Sequence, residues 1–217
     1  MSLLTLDDNA SLFVQGYLTT LQLSVGALAV ALVLGTMVAS VRVWGGPLLS
    51  SLARGYVEFF RNTPLLVQLL FLAVLLAPAY LNVTREPFLA ALIGLGVYTG
   101  AYVSEVVRSG ILSVDARQVE AARTLGLSQL EAVRFVVLPQ AIRTVIPPLG
   151  NLAIALVKNT AIAGGIAVNE LLKAAGIIES RTFQFTPYIA MLVAYWTITL
   201  PLAWLVGRLE RRLAFTR

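Results

Sequence analysis

An all-α integral membrane protein of about five transmembrane helices is what this sequence predicts. Three observations carry that prediction. Uncharged runs of 33, 23 and 26 residues (9–41, 62–84 and 182–207) are each long enough to cross the hydrocarbon core of a bilayer. Hydrophobic residues make up 58% of the chain and charged residues only 12%, about half the charged share of a soluble domain. One long polar segment, Glu120 to Pro139, interrupts the apolar sequence and reads as two short helices around a glycine.

The first span is placed at about 13–41, ending before Arg42. Arg42, Arg54 and Arg61 then form a basic connector broken by Gly45-Gly46-Pro47. The second span is placed at 62–84, with Pro64 in its first turn, where a missing N–H leaves no intrahelical bond unmade. Arg85-Glu86-Pro87 reads as a tight turn. The third span, about 88–107, carries Gly96 and Gly100, a pair of small residues suited to close helix approach. A fourth, about 144–168, is a poorer match: Pro147-Pro148 stand at its start, Lys158 lies inside it, and Gly164-Gly165 near its far end loosen the helix or break it at a gate. The fifth, 182–207, crosses with some tilt.

Between the third and fourth spans, at about 115–139, Asp115 caps the first short helix, with Gln118 three residues on, and Gly126 supplies a left-handed stop. Ser128 opens the second, with Glu131 at the capping-box position, and Leu138-Pro139 closes it. Helices this short do not persist alone in water, so the elbow is expected to dock on a partner.

Charge sets the orientation. Twelve arginines (42, 54, 61, 108, 117, 123, 134, 143, 208, 211, 212 and 217) fall on one side of the five spans; Arg85, Lys173 and Arg181 fall on the other. The excess places the elbow and the C-terminus in the cytoplasm and the N-terminus outside. The net charge of +5 is therefore read as a topology signal rather than a nucleic-acid footprint. Met1 to Asp8 has no basic stretch and carries Asp7 and Asp8, so no cleavable leader is expected there. The chain is one domain, 1–217.

With no Cys and no His, thiolate chemistry, disulfides and imidazole metal sites are excluded. The only lysines are Lys158 and Lys173, and neither follows a glycine run, so the chain has no phosphate-cradling loop of its own. Inside the spans, ionisable groups are costly and usually functional. Lys158, with Asn159 and Thr160, is a candidate lining of a translocation path; the alternatives are internal pairing, for instance with Glu105, or snorkelling to an interface. Glu105 and Arg108, three apart, suit a local ion pair. Gln68 faces a path or bridges helices by hydrogen bonding. The tyrosines and tryptophans, among them Tyr98 and Tyr102, read as packing or interfacial aromatics.

Glu120-Ala121-Ala122, Gly126, Val136 and Leu138-Pro139 together resemble the EAA loop of permease subunits of binding-protein-dependent ABC importers. Arg61 to Gln68 (RNTPLLVQ), Thr20 to Gly35 and Leu149 to Ala163 resemble the polar amino-acid branch of that family, the histidine, glutamine and glutamate permeases, over roughly residues 13–210. Two departures are the valine at 136, where isoleucine is usual, and Ala161, where the family segment often has serine. The resemblance implies a type I ABC importer-like fold and a multi-pass subunit of a bacterial cell membrane carrying a polar amino acid such as glutamate, glutamine or a basic one. It implies an elbow seated on cytoplasmic ABC ATPase subunits, anchored by Glu120 and Arg123, packed close through Ala121 and Ala122, bent at Gly126 and continued by Leu127 and Ser128. It further implies a second permease subunit, the same or homologous, and an extracytoplasmic amino-acid-binding protein. ATP and magnesium would sit on the ATPase, this chain would bind no cofactor and catalyse no reaction, and lipid rather than nucleic acid would surround it. A gradient-driven carrier or channel is the rival reading, but such carriers commonly show inverted repeats with paired broken helices, and neither is visible in the sequence.

Overall fold

The computed structural model describes residues 9–77, 79–83 and 86–213. Met1 to Asp8, where no leader is expected, Thr84 at the end of the expected second span, Arg85 of the expected turn, and Arg217 of the charge asymmetry lie outside the described residues. Among the described residues every regular element is helical: α1 (Ala10–Trp44), α2 (Pro47–Asn62), α3 (Leu65–Leu76), α4 (Pro87–Leu112), α5 (Ala116–Thr124), α6 (Gln129–Ala132), a π-helical turn (Val133–Val137), α7 (Leu138–Asn159), a 3-10 segment (Thr160–Ile166), α8 (Leu171–Thr182) and α9 (Thr186–Leu213). Four helices are long and apolar enough to cross a membrane, or five when the bent pair α2–α3 counts as one.

Small residues let α1 and α4 lie against each other. A Cβ on Gly35 would stand 2.6 Å from the Cβ of Val103 and 2.7 Å from the carbonyl of Gly100; one on Gly96 would meet Val30 at 2.7 Å. Ala27, Ala31, Leu95 and Ala101 are fully buried along this seam. The Gly96–Gly100 pair thus serves helix packing, the ordinary use of such a spacing in a bilayer, where dispersion contacts rather than water expulsion hold helices together.

The second span departs from expectation. Its helix does not start at Asn62: α2 ends there, the chain bends by 114°, and α3 begins after Pro64. Pro64 caps α3 from outside (φ −65°, ψ 133°), with its carbonyl accepting from Gln68 N at 3.2 Å. At 12 residues α3 is about 18 Å long, too short to cross alone.

The fourth span also differs. Pro139 does not close the second elbow helix, because the helix runs on through it from Gln129 to Ile166. A proline ring clashes with the carbonyl four residues back. Here the five-residue π turn widens the helix just ahead of it, and Leu138 N reaches Val133 O, five residues back. Pro147 and Pro148, expected at the start of the span, lie inside α7.

One element was not anticipated. Residues 169–182, read as an external connector, form the amphipathic α8. Leu171, Ala174, Ala175 and Ile178 are fully buried, and Ala174 packs where a Cβ on Gly16 of α1 would collide. Their spacing of three, four and seven residues is the one signal that could have revealed it.

Candidate functional site

The elbow is built from local chemistry. Asp115 caps α5 by accepting from Arg117 N at 2.9 Å. Gly126 takes φ +93°, a left-handed conformation that a side chain would strain. Around it Gly126 N donates to Arg123 O (3.0 Å) and Leu127 N to Ala122 O (3.2 Å), the paired bonds of a Schellman stop. Ser128 then forms the full capping box: its Oγ and N donate to the Glu131 carboxylate at 2.7 and 2.8 Å, and Glu131 N donates back to Oγ at 3.3 Å. These donors, the Ser128 hydroxyl first, hold the Glu131 carboxyl below its usual range.

Two side-chain bonds fold the elbow on itself: Arg123 Nη1 to Gln129 Oε1 at 2.9 Å, and Gln140 Nε2 to Gln118 Oε1 at 2.6 Å. Ala122 is buried within it, while Glu120, Ala121, Arg123 and Ser128 are exposed and Leu127 is half-buried. At its tip Leu125 is 82% exposed and Leu130 77%. Both leucines are therefore open to contact from outside the chain.

The candidate path residues are not gathered into one cluster. Gln68 is only 5% exposed. Its amide donates to Phe60 O, Thr63 O and Thr63 Oγ1 (3.0, 3.0 and 2.6 Å), so it staples the α2–α3 break, which is the helix-bridging alternative. Thr160 is buried and bonds Val157 O at 2.7 Å. Lys158 is exposed, and among the described residues no ion pair is recorded for it. Its pairing with Glu105 is not found, because arginines already hold that carboxylate: Oε1 accepts from Arg108, and Oε2 from Arg42 at 2.7 Å, with Arg61 3.9 Å away. Asn159 lines a small cleft of about 150 Å³ between α4 and α7, together with Tyr98 and Tyr102, whose hydroxyls are 3.1 Å apart.

A group the sequence reading passed over is Glu170. Fully buried at the start of α8, it accepts from Leu172 N (2.8 Å), Lys173 N (2.7 Å) and the Tyr195 hydroxyl (3.2 Å), while Thr20 Oγ1 accepts from Leu171 N (3.1 Å). These bonds tie α1, α8 and α9 together and satisfy the N–H groups at the α8 start. Glu170 and Lys173 share the wall of a cavity of about 380 Å³ with Ala161, Gly164, Gly165 and Tyr188. Gly164 matters there: a Cβ would stand 3.0 Å from Glu170 Oε1.

Helices long and apolar enough to span a membrane, joined by a capped polar elbow, define an integral membrane protein of several helices. Comparison with known proteins gives the family. The family model for the binding-protein-dependent transport system inner membrane component matches residues 31–215. The chain is 41% identical over 214 residues, 98% of each chain, to the probable glutamine ABC transporter permease protein GlnM of Bacillus subtilis (strain 168). It is 36% identical over 203 residues, 93% of each, to the glutamine transport system permease protein GlnP of Escherichia coli (strain K12). A crystal structure of an amino acid ABC transporter with histidines superposes at a TM-score of 0.88 with 35% identity, covering 98% of this chain and 99% of that one. This chain belongs to the family of binding-protein-dependent transport system inner membrane components. It is a multi-pass membrane protein with the type I ABC importer fold, and its role is that of a permease subunit of an ATP-driven amino-acid importer.

Proposed function

We propose that this permease carries a polar amino acid, with glutamine as the first candidate, into the cytoplasm by alternating access. The N-terminus lies outside and the elbow and C-terminus inside. A second permease subunit, the same or homologous, completes the path. An extracytoplasmic binding protein delivers the substrate, and cytoplasmic ATPase subunits hold ATP and magnesium. Lys158 and Asn159 remain proposed path residues, whereas the bonds of Gln68, Glu105 and Thr160 suit structural roles.

The observation that carries this reading is the elbow. Its capped, glycine-bent frame carries two exposed leucines and is joined to α7 through the π turn with no loop between them, so displacement of the elbow is passed on to α7. The seven-residue 3-10 segment that follows α7 is the kind of irregular helix that hinges use, which suits a gate in this region.

Purification from the native membrane through a tag on this chain tests the proposal. An ATPase and a binding protein should co-elute, and proteoliposomes of that complex should take up labelled glutamine only with ATP inside their reach. Uptake driven by an ion gradient in the absence of ATP would overturn it. Competition by unlabelled glutamate, arginine and histidine ranks the substrates.

A further inference from the structure

Glu105 has a neighbourhood that a local ion pair does not account for. Its two carboxylate oxygens serve three guanidiniums on three helices: Arg108 of α4 on Oε1, and on Oε2 Arg42 from the last turn of α1 and Arg61 from the last turn of α2. The two cross-helix arms are unequal. Arg42 is held at 2.7 Å with its side chain 11% exposed, whereas Arg61 stands 3.9 Å off and is 43% exposed. Arg61 also lies over the Tyr102 ring, 5.4 Å from its centroid, so it stands between two partners one turn apart on α4.

Position gives the cluster its meaning. From Glu105, α4 runs unbroken to Leu112, about 10 Å, and only residues 113–115 separate it from the elbow. On the other side, Arg61 is the residue before the last in α2, directly ahead of the 114° break. The middle of α2 is pinned separately, since the Tyr56 hydroxyl donates to Val97 O at 2.6 Å. What Glu105 holds is therefore the end of α2 that turns into α3. A guanidinium loosely held between a carboxylate and an aromatic face can move toward either one, which is what a shifting contact between two sites requires.

We infer that Glu105 is a positioning residue that ties the stem of the elbow to the α2–α3 bend, with Arg61 as the arm that shifts when the elbow moves. The inference rests on the ATP-driven reading above. Removing the carboxylate charge leaves three guanidiniums facing one another and cuts the tie.

The test uses the whole complex, isolated through this chain and reconstituted in proteoliposomes, with labelled glutamine as the probe; the readout is glutamine imported per ATP hydrolysed. The wild-type complex is the control, and no ATP-dependent import in it would sink the importer reading rather than this one. In Glu105→Gln and Arg61→Gln complexes the ratio should fall by about tenfold, within the usual span of inter-site couplings, while the assembled complex still hydrolyses ATP. Glu105→Asp should recover part of the loss, which a purely steric role would not predict. If Glu105→Gln fails to assemble, the exposed Arg61→Gln still decides the matter. An unchanged ratio in assembled Arg61→Gln complexes would overturn the inference, as would a loss that only tracks the amount of complex.

Discussion

Leu127 N donates to Ala122 O at 3.2 Å, across the one residue of the elbow whose φ is positive. That bond exists because Gly126 accepts φ +93° without strain, and a Cβ there would meet nothing within 4 Å. The cost of a side chain at 126 is therefore purely a backbone cost. Gly126→Val should disfavour the bend by about 1–2 kcal/mol or more, and Gly126→Asn, which tolerates the left-handed region, by less. Uptake should fall in that order with membrane insertion intact. Equal uptake in wild type and Gly126→Val would show that the elbow is only a connector.

The capping box makes a pH prediction. Glu131 is held below its usual carboxyl range in the folded elbow, so its contribution is present at neutral pH and is lost as pH falls through the depressed folded value. Amide exchange in the segment 128–133 should accelerate in acid beyond its intrinsic trend. In Glu131→Gln, which keeps a capping acceptor but cannot titrate, that extra acid step should vanish. Persistence of the step would assign it elsewhere.

The α1–α4 seam should be intolerant of a single methyl group. Gly35→Ala would press on Val103 and on the Gly100 carbonyl, and backbone cannot rotate out of the way as a side chain can. Overpacking of this kind costs about 1–3 kcal/mol. A lower melting temperature of the purified subunit is expected, whereas Gly55→Ala inside α2, with open space around it, should hold or raise the melt. Matching melts for the two would refute the close packing.

Orientation follows from the arginine asymmetry and is open to a direct check in this Cys-free chain. Ser128 on the elbow and Ser180 on α8 are both exposed. Single cysteines at these positions should react with an impermeant reagent from opposite sides, Ser180→Cys from outside. Labelling from one face alone would break the five-span topology.

Lys158 is now separated from Glu105, so the variant Lys158→Met strands no carboxylate and should accumulate normally. If its ammonium meets the path, uptake should drop by about tenfold or more, the scale of losing one charge-assisted hydrogen bond. Full uptake at normal protein level would take Lys158 out of the path.

Much of this protein is determined by sequence alone, for reasons that are local. An unpaired backbone cannot sit in hydrocarbon, so a long uncharged run favours a spanning helix: α1 and α9 lie over most of the runs 9–41 and 182–207, whereas the run 62–84 is broken at Pro64. The elbow is equally legible. A Schellman stop and a capping box bond residues no more than five positions apart, so Gly126, Ser128 and Glu131 announce themselves in order. What only the tertiary structure decided are the relationships between residues far apart in the chain. Glu105 has Arg108 as its local partner, but Arg42 and Arg61 reach it only because tight packing of glycine and alanine brings α1 and α2 onto α4. Glu170 looks like one more charge in an external connector. It is buried where Thr20, 151 residues before Leu171, and Tyr195, 25 residues after Glu170, converge on the start of α8. Pro139 shows the same limit within a helix: sequence marks it as a stop, and the π turn ahead of it, with Leu138 N bonded to Val133 O, lets the helix continue.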